Sequence, residues 1–317
     1  MDRQADILII GGGMAGLSAA RALAPTGRRI IVLDKGRGPG GRMATRRVEA
    51  GGGTLRFDHG AQYFTARDPA FREAVAAWEQ AGVVARWPAA GEEAWVGTPG
   101  MNACVKAMAE GLDVRWGLRA ERMRRDRALW QVEAGEASFT AATVLVAVPA
   151  EQAAVLLAEA APAFAALAAG VASAPCWAVM AGFAAPLPLP DTLRSEAGPI
   201  AWAARNSAKP GRAGGEAWVI HASPQRSREL VEAPREEVAA TLLADFFAAA
   251  GIAPATPIHF DAHRWLYALP EAREGEGPLH DPDINIGVAG DWLHSPRVEG
   301  AWLSGRALAQ AVIAAGA

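Results

Sequence analysis

The first 34 residues carry the pattern that most constrains how this chain folds. A short apolar run at residues 7–10 is followed by a G-x-G-x-x-G motif at residues 11–16 and then by strong helix formers. A second apolar run begins at Ile30 and ends on Asp34. This order of strand, glycine turn, helix and strand ending in an acid is typical of the β-α-β unit that binds a dinucleotide. We therefore predict an α/β fold with a dinucleotide site near the N-terminus.

Each position of the motif has its own expected role. Gly11 permits a tight turn, Gly13 lets the backbone approach a pyrophosphate, and Gly16 allows the helix to pack closely on the strand. The N–H groups at the start of the helix point at the phosphates, and Asp34 accepts hydrogen bonds from a ribose. The predicted cofactor contacts of this unit are Gly11, Gly13, Met14, Ala15, Gly16 and Asp34.

A second glycine-rich loop, residues 35–42, follows the acid directly and carries two arginines. Glycines allow close approach to a ligand, and both arginines can neutralise phosphate charge. A simple NAD-dependent dehydrogenase, which remains an alternative on the first motif alone, would leave this loop without a role. The predicted contacts in and after the loop are Lys35, Arg37, Arg42 and Met43, with Ala120, after the third strand, as a backbone contact to adenine.

Composition and charge narrow the class of protein. At 317 residues the chain is long enough for two lobes and a sizeable core, and its net charge of -3 argues against a nucleic-acid surface. No apolar run approaches the ~20 residues of a membrane span. The two cysteines lie far apart in sequence, and a strand begins almost at the N-terminus. We predict a cytoplasmic protein with no signal peptide, no nucleic-acid partner and no membrane partner, and the oligomeric state stays open.

Strand and helix patterns alternate between two predicted domains. Residues 54–64 are predicted to form one strand, and residues 68–81 a helix. Between residues 174 and 261, strand-like stretches precede one amphipathic helix, which favours an antiparallel sheet with helical cover as a substrate domain. The predicted cofactor domain comprises residues 1–60, 98–172 and 281–317, and the predicted substrate domain comprises residues 61–97 and 173–280.

The loop at residues 35–42 resembles the second signature of the FAD-binding amine oxidase and desaturase superfamily, and a C-terminal strand ending in Gly290 and Asp291 matches the same superfamily. The resemblance implies non-covalent FAD and a two-lobe, Rossmann-like fold of the p-hydroxybenzoate hydroxylase and amine oxidase type. It also implies that Asp291 binds the ribityl chain and that Ala301 lies in a helix whose N-terminus faces the flavin. A helix dipole there stabilises negative charge on the reduced ring.

Four segments resemble the bacterial renalase-like flavoproteins more narrowly: residues 34–47, 57–64, 204–212 and 290–305. This resemblance implies an enzyme that oxidises NAD(P)H isomers carrying the hydride at position 2 or 6 of the nicotinamide. The electrons would pass to FAD and then to molecular oxygen, which gives NAD(P)+ and hydrogen peroxide.

Such a reaction needs a flat ring held beside the flavin and no strong general base, because loss of hydride leaves an aromatic cation. The competing interpretation of each histidine is a structural role, and that of each tryptophan is core packing. The predicted catalytic residues are His263, with Gln62 and Tyr63 at the flavin edge, and Gln62 is also a predicted cofactor contact. The predicted substrate-binding residues are Asn206, His221, Trp265 and Trp302.

Two other functions stay open. A flavin-dependent amine oxidase acting on a small amine often uses an aromatic pair, but this chain has only two tyrosines, Tyr63 and Tyr267. A non-catalytic FAD-binding redox sensor would bind the flavin and turn over no small molecule. A carotenoid-type desaturase lacks support because the sequence shows no extended apolar docking helix. No serine-histidine-aspartate, metal-spaced or P-loop pattern favours a hydrolase or a kinase.

Overall fold

The computed structural model describes residues 3–212, 214–271 and 277–316 of the chain. Its helices, numbered along the chain, are α1 Met14–Leu23, α2 Pro69–Gln80, α3 Ala103–Ala109, α4 Ala150–Leu157, α5 Pro162–Ala169, α6 Pro224–Glu229, α7 Arg235–Ala250 and α8 Val298–Ala314. Its strands are β1 Gln4–Ile10, β2 Ile30–Asp34, β3 Thr45–Ala50, β4 Gly53–Asp58, β5 Val84–Arg86, β6 Trp95–Gly97, β7 Asp113–Trp116, β8 Arg122–Asp126, β9 Leu129–Ala134, β10 Ala137–Val146, β11 Ser173–Phe183, β12 Thr192–Arg194, β13 Ile200–Arg205, β14 Glu216–Ala222, β15 Pro257–Pro270, β16 Leu279–Asp281 and β17 Ile286–Val288.

The larger sheet contains the β-α-β unit predicted from the sequence. Its strand order is β16-β17-β10-β1-β2-β7, and the β8–β9 hairpin extends from β10. β1 pairs in parallel with β10 and β2, and β10 pairs in parallel with β17. Helices cover both faces, so the central strands are apolar throughout, and Ile7, Leu8 and Ile9 are fully buried. The predicted α/β fold is confirmed.

The last helix, α8, packs against α1 on one face of this sheet. A Cβ on Gly305 would overlap the carbonyl oxygen of Ala15, so the two helices approach backbone to backbone. The Ser18 hydroxyl donates a hydrogen bond to the carbonyl oxygen of Trp302 at 2.7 Å. This contact brings the C-terminal motif beside the N-terminal glycine motif.

The smaller sheet is antiparallel, with the strand order β12-β13-β14-β11-β15. Alternate residues of its strands point to opposite faces. One face, which carries Val179 and Trp218, packs on α7. The other face carries Met180 and Val219 and packs on the β3–β4 hairpin through Leu55. The predicted antiparallel sheet with helical cover is therefore present.

The predicted strand over residues 54–64 is wrong beyond residue 58. β4 ends at Asp58, and the Ala61 N–H donates to the carbonyl oxygen of Arg42 at 2.8 Å instead of pairing with a strand. Gly60 permits this approach, because a Cβ there would overlap the same carbonyl oxygen. Residues 59–63 therefore run alongside the second glycine-rich loop.

The division into two domains at the stated boundaries stays a prediction. β16 belongs to the larger sheet and begins at Leu279, ahead of the predicted boundary at residue 281. In the described part of the chain, no helix combines the length and apolarity needed to cross a bilayer.

Candidate active site

The glycine motif at the N-terminus of α1 lies beside the second glycine-rich loop, and we call residues 11–16 and 35–42 together the cofactor cleft. Gly11 has a φ of +111°, and a Cβ there would overlap the carbonyl oxygen of Ala147. A Cβ on Gly16 would overlap the carbonyl oxygen of Gly11, so the helix lies directly on the turn. At Gly13, by contrast, nothing lies within 4 Å of the position a Cβ would take. The cleft is therefore open where the pyrophosphate is expected.

Asp34 connects the two glycine-rich loops. Its carboxylate accepts hydrogen bonds from the N–H groups of Gly12 at 2.7 Å and Gly36 at 2.6 Å. Each carboxylate oxygen keeps a further lone pair, so the predicted contact to a ribose is chemically available. Its orientation is set by the backbone of both loops before any ligand binds.

Arg42 and Asp291 are far apart in sequence and form a two-point contact in the structure. Arg42 Nη1 and Nη2 donate to the two carboxylate oxygens at 2.8 and 2.7 Å. The Asp291 side chain is only 8% exposed, so water screens this charge-assisted pair weakly. Gly290 permits the turn into the motif, since a Cβ there would lie 2.6 Å from the ring of Trp292. The second glycine-rich loop and the C-terminal motif therefore belong to one site.

The cleft fits a dinucleotide such as FAD. The first turn of α1 contains no acidic residue that would repel phosphate, and the open space at Gly13 admits a pyrophosphate. Of the other predicted cofactor residues, Lys35 and Arg37 are exposed, Met43 is buried, Ala120 follows β7 and is half-buried, and Ala301 lies in the first turn of α8. The exposed cations Lys35 and Arg37 would be available to neutralise phosphate charge.

One row of side chains crosses the antiparallel sheet, and we call it the lateral row. The register pairs Arg194 with Trp202, Trp202 with His221, His221 with Ala178, and Ala178 with His263. Residues directly opposite one another in antiparallel strands share a face, so these five side chains point to the same side. Ala178 leaves a gap between the two imidazoles because its side chain is a single methyl group.

His59 covers one end of the lateral row. Its ring centroid lies 4.9 Å from that of His263 and 5.3 Å from that of Trp265, on which it stacks. Trp265 Nε1 also donates to the carbonyl oxygen of His59 at 2.8 Å. The structure therefore brings the predicted residues His263 and Trp265 together.

Tyr63 covers the opposite end of the row. Its ring lies 5.5 Å from that of Trp202, and Arg194 donates a hydrogen bond to its hydroxyl at 2.7 Å. Together the two ends form an aromatic and imidazole surface that we call the substrate slot. It consists of His59, Tyr63, Trp202, His221, His263 and Trp265.

The histidines of the substrate slot are neutral at pH 7. Burial, assisted by the neighbouring His263, lowers the pKa of His59 to about 4. Burial also lowers the pKa of His221 to about 4 and lowers the pKa of His263. Neutral imidazoles can donate and accept hydrogen bonds while presenting no charge to a substrate.

A buried ion cluster of Asp58, Lys209 and Arg212 lies next to the slot. Lys209 Nζ is 3.1 Å from Asp58 Oδ2, and Arg212 pairs with the same oxygen. The other carboxylate oxygen accepts hydrogen bonds from the Thr45 hydroxyl at 2.7 Å and the Met101 N–H at 3.0 Å. All three ionic side chains are at most 1% exposed. Their charges are compensated inside the protein instead of by water.

The cluster shifts the pKa values of its members. Burial opposes ionisation of Asp58, but the charges of Lys209 and Arg212 prevail and lower its pKa to about 2. Burial lowers the pKa of Lys209 to about 8, although the Asp58 carboxylate opposes that shift. At pH 7 the cluster therefore holds two cations and one anion.

Gln62 and Asn206 are bound into this cluster. Gln62 Oε1 lies 3.2 Å from Lys209 Nζ and 3.4 Å from Asn206 Nδ2, and both nitrogens donate to it. Gln62 Nε2 donates to the carbonyl oxygens of Asp58 and Gly60. Asn206 is fully buried, and its Oδ1 accepts from the Asp58 N–H at 2.8 Å. Because the protein satisfies these polar atoms, the geometry favours positioning roles for both side chains.

Trp302 packs in the hydrophobic core between α8 and α2. Its ring centroid lies 5.3 Å from that of Phe71, and only 7% of the residue is exposed. Core packing, the competing interpretation of this tryptophan, describes its surroundings better than a wall of the substrate slot.

Sequence reasoning assigned no role to Asp58, Lys209, Arg212, Arg194 or Trp202. A signal exists for the first three, since charged residues within a strand and a compact turn are tolerated inside a protein only when they pair. Arg194 and Trp202 carry no local signal, because cross-strand register alone brings them to the slot.

The carboxylates around the slot are engaged within the protein. Asp58 belongs to the ion cluster, Asp291 pairs with Arg42, and Asp261 pairs with Arg46 at 2.6 Å. Among the residues that the structure describes, none of these three acids is left to bind a substrate ammonium, and no group of three metal-ligating side chains occurs.

The fold and the cleft define an FAD-binding α/β protein. Residues 86–313 match the family model described as flavin containing amine oxidoreductase, and residues 9–78 match that of an NAD(P)-binding Rossmann-like domain. Because the first match covers well over half of the chain, the protein belongs to the flavin containing amine oxidoreductase family, and its cofactor is FAD.

Solved structures resemble the chain over nearly its whole length. Putrescine oxidase bound to putrescine superposes with a TM-score of 0.76 at 15% identity, covering 98% of this chain and 99% of that one. Cyclohexylamine oxidase from Brevibacterium oxydans superposes with a TM-score of 0.70 at 15% identity, covering 97% and 98%. At such identities the likeness establishes the fold.

Curated relatives match over short segments. Lysine-specific histone demethylase 1 homolog 3 of Oryza sativa subsp. indica is 36% identical over 63 residues, which are 20% of this chain and 8% of the rice protein. Lysine-specific histone demethylase 1 homolog 1 of Arabidopsis thaliana is 44% identical over 48 residues, or 15% of this chain and 6% of that protein. The chain thus spans less than a tenth of these relatives.

Proposed function

We propose that this protein is an FAD-dependent oxidase of dihydronicotinamides, in particular of NAD(P)H isomers with the hydride at position 2 or 6. Bound FAD would supply the hydride acceptor and the route of the electron pair to molecular oxygen, and the overall reaction converts the isomer, oxygen and one proton to NAD(P)+ and hydrogen peroxide. The resemblance of residues 34–47 and 204–212 to renalase-like flavoproteins supports this substrate class.

The uncharged substrate slot is the observation that carries the proposal. Loss of hydride from a dihydropyridine leaves an aromatic cation, so the protein needs no charged general base. A flat nicotinamide suits the indole of Trp265 and the neutral imidazole of His263. His221 Nε2 is buried and has no hydrogen-bond partner among the described residues, so a carboxamide would satisfy it.

The chain's own residues would orient the ring and exclude misplaced poses. Lys209 and Asn206 hold the Gln62 amide, and the Ala61 N–H ties the same segment to Arg42 of the cofactor cleft. This mechanical link sets the distance between the slot and the cleft. Positioning of this kind supplies a large share of the rate in reactions without acid or base catalysis.

A flavin-dependent amine oxidase is the second candidate. The family description and the solved oxidases of putrescine and cyclohexylamine favour it. The engaged carboxylates weigh against a cationic diamine, because no free acid at the slot would bind its distal ammonium. A redox sensor would bind FAD and leave every small molecule unchanged.

Anaerobic stopped-flow spectroscopy separates these functions. The purified holoenzyme is mixed with the 2- and 6-dihydro isomers, ordinary NAD(P)H, putrescine and cyclohexylamine, and bleaching of the oxidised flavin band is recorded. We expect rapid bleaching by the isomers alone. Bleaching by an amine instead would show that the protein is an amine oxidase. If none of these compounds bleaches the flavin, the redox sensor is the remaining candidate.

A further inference from the structure

We propose that Arg194, Tyr63 and Trp202 form a subsite for the phosphate group of the substrate at the mouth of the slot. The inference rests on the proposed function for its nucleotide substrate, and it names the part of the protein that recognises the anionic portion of that substrate. No cofactor contact is involved, since these residues lie on the antiparallel sheet and its cover.

Arg194 is held in place while most of its donors stay free. Its Cζ lies 5.2 Å from the centroid of the Trp202 ring, and its Nη2 donates a hydrogen bond to the Tyr63 hydroxyl at 2.7 Å. A guanidinium carries five N–H donors, so the remaining ones are available to a ligand. Stacking on the indole and the bond to Tyr63 orient the planar fork before a ligand arrives.

The absence of an acidic partner distinguishes Arg194 from Arg42, Arg46 and Arg212. Arg42 pairs with Asp291, Arg46 with Asp261, and Arg212 with the ion cluster. Arg194 has no ion pair to any carboxylate in the described part of the chain. The acid closest in sequence, Glu196, is exposed and makes no such contact. An exposed, oriented arginine without a counter-ion is suited to a phosphate.

Trp202 adds a second unsatisfied donor to the same group. Its Nε1 is buried and has no acceptor among the described residues. An unpaired buried donor costs free energy, which an acceptor oxygen of a bound molecule would recover.

The spacing along the lateral row suits a nucleotide. Arg194 lies on β12 and His263 on β15, at opposite edges of the five-stranded sheet. Four strand spacings separate them, or about 19 Å at the usual distance between neighbouring strands. A ring held near His263 and Trp265 would therefore leave room for a ribose and a phosphate extending toward Arg194. A small diamine would instead meet an uncompensated positive charge there.

The test compares two reducing substrates that share one ring. The 2- or 6-dihydro forms of nicotinamide mononucleotide and of nicotinamide riboside differ only in the phosphate, and anaerobic flavin bleaching gives Kd and the limiting rate for each. Arg194→Gln should raise the Kd of the mononucleotide by about tenfold or more, as expected for a lost charged hydrogen bond. The Kd of the riboside and both limiting rates should stay unchanged. Arg194→Lys should recover part of the loss.

Arg86→Gln is the matched control. Arg86 is also exposed, stacks on a tryptophan (4.0 Å to the Trp95 ring) and donates to a carbonyl oxygen, but it lies outside the slot. We expect Arg86→Gln to change the Kd of neither substrate. Equal weakening of both substrates by Arg194→Gln, or of neither, would overturn the phosphate subsite.

A second readout keeps the subsite testable if no dihydronicotinamide reduces the flavin. Calorimetric titration of the oxidised holoenzyme with ADP-ribose and with inorganic phosphate measures anion binding directly. Binding that Arg194→Gln abolishes would support the subsite even though the proposed oxidase function had failed. Binding that is absent, or that persists in the variant, would refute the subsite itself.

Discussion

The cofactor cleft and the substrate slot are built in different ways. The cleft uses backbone: contiguous glycines at residues 11–16 supply a turn, N–H groups and open space. The slot uses side chains from residues 59–63 and from three strands, β13, β14 and β15, which cross-strand register brings together. A site made of backbone is insensitive to side-chain identity except where a Cβ would intrude, whereas a site made of register moves as a whole when a strand slips.

The fold itself is shared with a protein of very different sequence. Putrescine oxidase superposes over 98% of the chain at only 15% identity. The predictions below test whether the two regions are separable.

The largest effect is expected for Gly13→Val. Nothing lies within 4 Å of the position of a Cβ at Gly13, so the fold should survive while the valine side chain excludes FAD. We expect the flavin-to-protein ratio, read from absorbance after purification, to fall by at least about tenfold. Gly53→Val is the control, because Gly53 also has open space around it and lies on the β3–β4 hairpin. A yellow Gly13→Val protein would refute the cleft assignment.

Asp58→Asn should have the next largest effect, and on stability. The change leaves Lys209 and Arg212 buried without a counter-charge, which costs about 3–5 kcal/mol in the free energy of unfolding. Urea unfolding of the holoenzyme measures it. Asp113→Asn removes one partner of an exposed pair with Arg115 and should cost less than about 1 kcal/mol. Equal costs for both variants would show that the buried ion cluster stabilises the protein no more than an exposed ion pair does. The cluster would then not hold the two regions together.

The pH dependence of stability probes the slot through two of its buried histidines. Burial holds His59 and His221 near a pKa of about 4, below the ordinary 6.5. Below pH 6.5 the unfolded chain takes up protons that the folded protein refuses until about pH 4, so stability falls as the pH decreases through this window. Between pH 7 and pH 5 each histidine should contribute a loss of about 2 kcal/mol.

Single substitutions show how much of this acid-induced loss of stability each histidine causes. His59→Gln and His221→Gln should each reduce the difference in unfolding free energy between pH 7 and pH 5 by about that amount. His294→Gln is the control variant, because His294 is an exposed histidine outside the slot. Variants with the full acid sensitivity of the parent would show that these imidazoles are not kept neutral by burial.

Trp265→Phe should have the smallest effect. It keeps an aromatic ring in the slot and removes the hydrogen bond to the carbonyl oxygen of His59, which is worth about 1 kcal/mol. We expect the Trp265→Phe protein to keep its flavin content and the Kd of the reducing substrate to rise several-fold. Trp78→Phe, on α2, is the control for ring size. Loss of FAD in Trp265→Phe would show that cleft and slot are not separable.

Local patterns predicted the fold and the cofactor because both depend on short-range geometry. The motif at residues 11–16, the acid at Asp34 and the alternation of strands and helices are each readable within a few residues. Residues 59–63 were predicted to continue the strand that begins at residue 54. The Ala61 N–H instead bonds to the Arg42 backbone, an approach that Gly60 allows.

Register is not readable in this way. Nothing near Arg194 or Trp202 in the sequence indicates that they lie beside Tyr63, and nothing near Lys209 indicates that it meets Asp58 and Gln62. Gln62 was predicted as a catalytic residue and cofactor contact at the flavin edge, and Asn206 as a substrate-binding residue. Their amides are instead consumed by internal hydrogen bonds, which only the folded neighbours reveal.

The amino-acid order of this chain determined the β-α-β unit, its glycine turn and the FAD cofactor. These features depend on glycine residues, which lack side chains, and on backbone torsions, and both take effect within a few residues of the sequence. The tertiary structure alone decided which side chains line the slot, which charges are buried, and which of them are compensated. Those properties depend on pairs of residues separated by up to 249 positions, as Arg42 and Asp291 are. Such pairs meet only after the two sheets have formed and packed.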